Sequence, residues 1–276
     1  REDKLNLDIH EIIFSSNNNF KFNIDKSLKF KNLKINSEIE IEKLKLKNSF
    51  KLKNIFTKIK QDILFRNQKI KLDYEKENLN IIGQGEIFLQ NEVDEIKYKI
   101  KKKKNEFKFD TTLTILKNPF QIELLNYNKK VNSNLILNFK GKNKTNQKLI
   151  FDEISLKEKD NKISIKDLIL SNDNKINEIG SINIDYHDEE NLNNNLQIIK
   201  KNKDYLISGN NFNINNIIDR LLNSEDDKKI KFFNKNFRLI FDVDKIYLDR
   251  NNFVNNLRGF LSFNKKRISE LNLESQ

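Results

Sequence analysis

Cysteine is absent from this 276-residue chain, and so are methionine, tryptophan and alanine. Without cysteine there are no disulfides, no thiolate zinc sites and no thiol nucleophile, and the redox compartment is left open. Proline occurs once, at Pro119, and glycine six times. Histidine occurs twice, at His10 and His187, far apart in sequence. Apolar runs are as short as Ile12-Ile13-Phe14, Ile63-Leu64-Phe65 and Leu168-Ile169-Leu170. None approaches the roughly 20 residues of a membrane-spanning helix. No secretory leader is recognisable. The sequence starts at Arg1, inside charged and patterned sequence, and reads as a segment of a longer protein.

The hydrophobic fraction, 37%, is enough to build a core. Lys and Arg number 52 against 40 Asp and Glu, a formal charge of +12. Lys, Asn, Ile, Phe and Leu dominate, all residues with A/T-rich codons. Such a bias favours lysine over arginine and asparagine over glycine before any function is considered. The charge is therefore weak support for a nucleic-acid partner. Missing alanine removes the best helix former, whereas Ile, Phe and Tyr suit strands.

Period-2 alternation, the signature of a half-buried strand, recurs along the whole chain. Phe20, Phe22 and Ile24 alternate with Lys21 and Asn23. Ile39 and Ile41 alternate with Glu40 and Glu42, and Leu44 and Leu46 with Lys45 and Lys47. Ile70, Leu72 and Tyr74 follow, then Ile96, Tyr98 and Ile100. Phe107, Phe109, Leu113 and Ile115 hold one phase across Thr111. Later examples are Ile163 and Ile165, Ile182, Ile184 and Tyr186, then Phe237, Leu239, Phe241 and Val243, and finally Leu261 and Phe263.

The phase slips by one residue between Ile41 and Leu44 and again between Val243 and Ile246. A slip would turn every later side chain to the other face, so a bulge or bend is expected near Glu42-Lys43 and near Asp244-Lys245. Asn and Asp take the place of Gly and Pro in the turns, because both tolerate the left-handed conformation. Turns are expected at Asn17-Asn18-Asn19, Lys159-Asp160-Asn161, Asn172-Asp173-Asn174, Asn202-Lys203-Asp204 and Arg250-Asn251-Asn252. Lys101 to Asn105 reads as a hairpin turn. Ile214, Ile217, Ile218, Leu221 and Leu222 have helical spacing and predict one short helix near 213–223. A weaker helical signal around Phe56 to Phe65 also reads as a strand.

About fifteen one-sided strands present a continuous apolar face that must be covered. Two sheets can pack as a sandwich, one sheet can close into a barrel, or a long sheet can curl into a trough that holds something apolar. Periodicity alone favours the first two. The inward set is Phe20, Phe22, Ile39, Ile41, Ile96, Tyr98 and Ile100, then Phe107, Phe109 and Leu113, then Phe237, Leu239 and Phe241. These residues line either a dry core or a groove for acyl chains. The outward positions mix Lys with Glu, which suits a solvated face and blunts edge pairing. An outer-membrane barrel, apolar on its outside, does not fit.

The C-terminal part carries a resemblance. A strand ends in Ser208-Gly209; Phe212 and the helical stretch Ile214 to Leu222 follow. Then come the alternating Phe237 to Asp244, Lys245-Ile246-Tyr247-Leu248-Asp249, a turn, and Arg258-Gly259-Phe260-Leu261-Ser262-Phe263. This order over about residues 205–276 resembles the C-terminal module of AsmA-like envelope proteins, the YhdP and TamB type. Gly83-Gln84-Gly85 between alternating strands is compatible with it. The resemblance implies an all-β fold: an elongated, curled, mostly antiparallel, groove-like sheet with one short helix. Residues 1–276 would form one continuous groove segment of a longer protein, with an internal division near 209–229. It further implies a periplasmic bridge, anchored in the inner membrane by a part outside this segment. Such a bridge carries phospholipid towards the outer membrane, with outer-membrane or envelope proteins as further partners and no cofactor. The competing reading is a non-enzymatic β-sandwich scaffold or adhesion domain of the cell envelope.

No enzymatic reading stands beside these. Tyr186-His187-Asp188-Glu189-Glu190 sets a histidine among acids, but neighbours on a strand point to opposite faces. Asp226-Asp227 reads as a solvated turn. Phosphate loops, zinc spacings and nucleophile elbows are missing. A nucleic-acid surface would need aromatics exposed beside the basic groups; here they alternate away from the lysines.

Overall fold

The computed structural model describes residues 8–48, 52–144, 149–171, 175–217, 236–264 and 267–276. The fold is all-β and mostly antiparallel. The chain divides into two compact units, residues 1–120 with 131–146, and residues 121–130 with 147–276.

Unit one begins as a meander of β1 (Ile9–Ile24), β2 (Phe30–Lys47), β3 (Asp62–Glu75), β4 (Asn78–Phe88), β5 (Asp94–Lys103) and β6 (Glu106–Ile115). The short β7 (Gln121–Ile122) and β8 (Tyr127–Asn128), joined by a 3-10 turn at Glu123–Leu125, belong to unit two. β9 (Leu135–Lys144) completes unit one. Each strand of unit one pairs antiparallel with its predecessor, and β9 pairs with β6. Local alternation and tight turns dictate this order. Lys76 and Glu77 both take positive φ, 48° and 64°, the backbone that a two-residue hairpin turn requires. The expected turn at Lys101 to Asn105 falls on Lys104-Asn105, with Lys104 at φ 52°.

Unit two holds β10 (Leu149–Glu158), β11 (Asn161–Leu170), β12 (Ile176–Glu178), β13 (Ser181–His187), β14 (Asn193–Lys201) and β15 (Asp204–Asn213). It ends with β16 (Phe237–Tyr247), β17 (Phe253–Asn264) and β18 (Arg267–Glu274). Their order is β10-β11-β13-β14-β15-β16-β17-β18, with β12 beside β11. Every pairing is antiparallel except β15 with β16, which is parallel. The turns expected at 159–161, 202–204 and 250–252 are present; the one at 172–174 lies outside the described residues. Of the helix expected near 213–223, residues 215–217 are helical, and 218–223 lie outside the described residues.

The turn expected at Asn17-Asn18-Asn19 is not there. These residues run straight through β1, facing Glu38, Ser37 and Asn36 of β2. A complete ladder of partners outweighs the local turn preference of asparagine. The stretch from Phe56 to Phe65 is neither helix nor one strand: turns occupy residues 53–58, and β3 takes over at Asp62.

Both expected phase slips are absorbed by the sheet, and in the same way. Against β1, the register of β2 jumps from Ile13↔Lys43 to Phe14↔Ile41, so Glu42 is the extra residue. On β3 the facing residue is Asn67, at φ 50°, and the β3–β4 register shifts at the same level. Ile41 and Leu44 therefore end on one face. In unit two Asp244 lies opposite Asn256, at φ 51°, while β16 keeps an unbroken register with both neighbours. The extra residue appears one strand further on, at Asn210 between β15 and β14. β15, β16 and β17 thus slip together, and Val243 and Ile246 are both buried. A third such pair, Asp152 opposite Asp167 at φ 53°, joins β10 and β11. An acid or asparagine at each slip supplies the left-handed backbone that β-branched residues resist.

Candidate functional site

Directly opposed residues of a ladder share a face, so the registers sort the side chains of unit one. One row runs Phe20, Ile35, Tyr74, Leu79, Lys102 and Phe107 from β1 to β6. The next carries Leu72, Ile81, Ile100 and Phe109, ending at Gly141. A third runs Ile39, Ile70, Gly83, Tyr98, Thr111 and Phe139. A fourth holds Phe14, Ile41 and Gln68, then Gly85, Ile96, Leu113 and Leu137. Phe20, Ile39, Ile41, Ile96, Tyr98, Ile100, Phe107, Phe109 and Leu113 therefore share one face. Phe22 lies just past a bulge, its ring 4.9 Å from that of Phe30.

The opposite face is charged. Lys34 meets Glu75 at 2.6 Å and Lys71 meets Glu38 at 3.4 Å across neighbouring strands. Such exposed pairs contribute little stability; their effect is to keep this face wet. The Lys34 ammonium holds the Glu75 carboxyl below its ordinary range.

Burial along the apolar face is graded. At one end Ile63, Ile87, Ile115 and Leu135 are buried, together with Phe56 and Phe120 from the adjoining turns. The two rings meet edge to face at 5.5 Å. Buried polar side chains tie those turns down. Gln90 accepts the Lys58 N–H at 3.0 Å and donates to the Pro119 carbonyl at 2.7 Å. Asn118 donates to the Asp94 carboxylate at 2.8 Å. Towards the other end Ile39, Ile70, Leu72, Ile81, Ile100 and Phe109 are only half-buried, and Phe20, Phe22 and Phe107 are exposed. A cleft of about 970 Å³ at this end is lined mostly by the opposite, charged face, by Lys21, Lys34, Asn36, Asp73 and Glu75 among others, and also by Phe20, Phe22 and Tyr74. All the described strands of unit one lie in one sheet, with no second layer among the described residues of that unit.

Unit two repeats the gradient. Phe237, Leu239 and Phe241 share a face with Tyr205, Ile207, Leu261 and Gly259 and are half-buried. The closed end carries the β7–β8 hairpin. Tyr127, 1% exposed, donates its hydroxyl to Glu158 at 2.6 Å and meets Tyr186 edge to face at 5.6 Å. Tyr186 donates to the Leu125 carbonyl. Burial pushes both phenols far above the ordinary tyrosine range, helped by Glu158 at Tyr127 and by Asp188 at Tyr186.

This closure should fail in alkali. A raised folded value means the native state holds its protons longer than the unfolded chain. The stability it contributes is complete below the ordinary tyrosine value of about 10 and drains away above it, by about 1.4 kcal/mol per pH unit for each phenol. Chemical denaturation of unit two at stepped pH should show the decline, and Tyr186→Phe should reduce its slope.

Sequence reasoning missed several members of the face. Gly83 and Gly85 sit on it, and a Cβ at Gly83 would lie 2.3 Å from the Tyr98 ring. Tyr98 can lie flat over β4 only because Gly83 has no side chain. The Gly-Gln-Gly spacing was visible, but which ring lay over it was not. Ile35 and Phe139 were legible, since Leu33, Ile35, Ile39 and Ile41 keep one phase and Leu135, Leu137 and Phe139 another.

Among the described residues the histidines and acids singled out from the sequence lie apart. Asp188 is buried, accepting N–H groups of Leu192 and Asn213 at 2.8 Å each, while His187 is exposed. His10 lies 3.4 Å from Asp62 and 3.6 Å from Asp8 at the surface. Asp226 and Asp227 lie outside the described residues. Among the described residues no set of His, Asp and Glu can hold a metal ion, and no helix is long and apolar enough to cross a membrane. Compared with known protein families, curated proteins and solved structures, the chain shows no significant match.

Proposed function

We propose that this chain is a periplasmic segment of an AsmA-like bridge protein that carries phospholipid acyl chains along an apolar β-groove between inner and outer membranes. One observation carries the reading: the half-buried face of unit one, built of Ile, Leu, Phe and Tyr, has no covering layer among the described residues of that unit. A dry core would bury Ile39, Ile70, Ile100 and Phe109 as fully as Ile115 and Leu135 are buried at the closed end. A sandwich domain would supply a facing sheet. The setting, membrane to membrane, comes from the resemblance of residues 205–276. The mechanism is passive. Acyl chains lie along the apolar face while headgroups stay at the wet edge. Each buried methylene contributes about 0.8 kcal/mol, so no polar recognition motif is needed.

A photoreactive phenylalanine in place of Phe109 tests this. Phe109 faces Ile100 and Gly141 on the apolar face, whereas Lys108 points to the charged face and pairs with Glu106 at 3.1 Å. Phospholipid adducts, read by mass spectrometry, are expected from position 109 and not from 108. Crosslinks from 109 only to the chain itself would sink the groove.

A further inference from the structure

The β1–β2 hairpin turns through Asp25-Lys26-Ser27-Leu28-Lys29. Asp25 builds the turn: its carboxylate accepts the N–H groups of Ser27 at 2.8 Å and Lys29 at 3.0 Å. Leu28 sits at its tip with φ 57° and is 81% exposed. That backbone is costly for leucine and easy for glycine or asparagine. The chain places asparagine at such positions repeatedly, at Asn32, Asn67, Asn126 and Asn202 among others. Among the described residues with positive φ, Leu28 alone is apolar. Neither local conformation nor burial explains it.

Its surroundings do. Phe30 is 67% and Ile24 55% exposed on the same hairpin, and Lys26 and Lys29 flank the leucine. Because unit one is a meander, the β5–β6 turn lies at the same end of its sheet. It brings Lys101 to Lys104, which make no ion pair among the described residues. Exposed apolar side chains set among lysines make a poor protein interface, whose core is depleted in lysine. They are the composition of a segment lying in a membrane surface.

We propose that this end of unit one is an anchor for an anionic bilayer surface. Leu28 and Phe30 enter the boundary between headgroups and acyl chains, and the lysines engage lipid phosphates. The inference goes beyond the groove reading and stands without it.

The test is flotation of the chain with vesicles of phosphatidylcholine, with and without phosphatidylglycerol. Binding is expected only to the anionic vesicles. Leu28→Asn should weaken it about tenfold while leaving the melting temperature unchanged or higher, since asparagine suits the turn. Lys26→Gln with Lys29→Gln should weaken it by on the order of tenfold or more, each lysine counting for about fivefold near the surface. The chain has no tryptophan, so Leu28→Trp provides a single tryptophan, excited selectively over the tyrosines, whose emission should shift to the blue on binding. Absence of binding overturns the proposal. So does binding that the lysine variant loses but Leu28→Asn keeps, with unshifted emission at position 28, the signature of a plain polyanion surface. Lipid adducts at position 109 should be indifferent to Leu28→Asn, which separates this failure from failure of the groove.

Discussion

Replacing Glu158 by leucine is expected to lower the stability of unit two by about 3 kcal/mol or more, although the two side chains differ little in volume. The carboxylate is 1% exposed. One oxygen accepts the Tyr127 hydroxyl at 2.6 Å and the other the Lys130 N–H at 2.8 Å. Leucine strips both donors of their acceptor inside the fold, and each stranded donor costs roughly 1–3 kcal/mol. Glu158→Gln keeps one good acceptor and should lose about half as much. Tyr127→Phe takes one donor from the buried carboxylate and leaves the Lys130 N–H in place, so it should cost about 1–3 kcal/mol. Urea denaturation followed by circular dichroism should return leucine as the largest loss, with Glu158→Gln and Tyr127→Phe both smaller. Equal losses for all three would mean that packing of the hairpin, not the hydrogen bonds, holds it.

Gly209→Ala is the second large effect. A Cβ there would lie 2.2 Å from the Asn195 carbonyl oxygen and 2.9 Å from the Leu196 Cα. Both obstacles are backbone of the neighbouring strand, so no rotamer change relieves them. The β14–β15 ladder would have to part where its register already shifts. Overpacking of this kind costs about 3 kcal/mol. Gly83→Ala is the informative contrast. Its obstacle is the outer part of the Tyr98 ring, which can swing away. The expected cost is about 1 kcal/mol, with the ring now standing up from the apolar face. Similar losses at the two positions would contradict this account.

Much of the architecture was legible because a strand writes its two faces into alternate residues. The runs Ile96-Tyr98-Ile100 and Phe237-Leu239-Phe241 each lie on one face, as their alternation required. The three-residue steps after Ile41 and Val243 did mark positions where strands slip. What stayed hidden was cooperative. A slip in β16 has to be matched in β15 and β17, and the sequence of one strand does not announce its neighbours. Asn17 to Asn19 carry a turn signal overruled by pairing with β2. The closures were unreadable for another reason. Gln90, Asn118 and Glu158 look like ordinary surface polar residues, and only the fold brings Pro119, Asp94 and Tyr127 to them. The parallel contact of β15 with β16 was equally silent, since alternation does not record strand direction.

The meander also sets an order of assembly. In unit one β2 to β6 each need only the strand just synthesised as a template, so contacts stay local and chain closure is cheap. Hairpins can add one after another as the chain emerges. The parallel pair interrupts this zipper: Tyr205 must find Leu239, and Phe212 must find Ile246. A parallel neighbour cannot be reached by a tight turn, so the chain between them has to be closed as a loop before any contact rewards it. Until β16 docks, β15 presents an unpaired edge, and that interval is when a nascent chain is most exposed to pairing with the wrong strand.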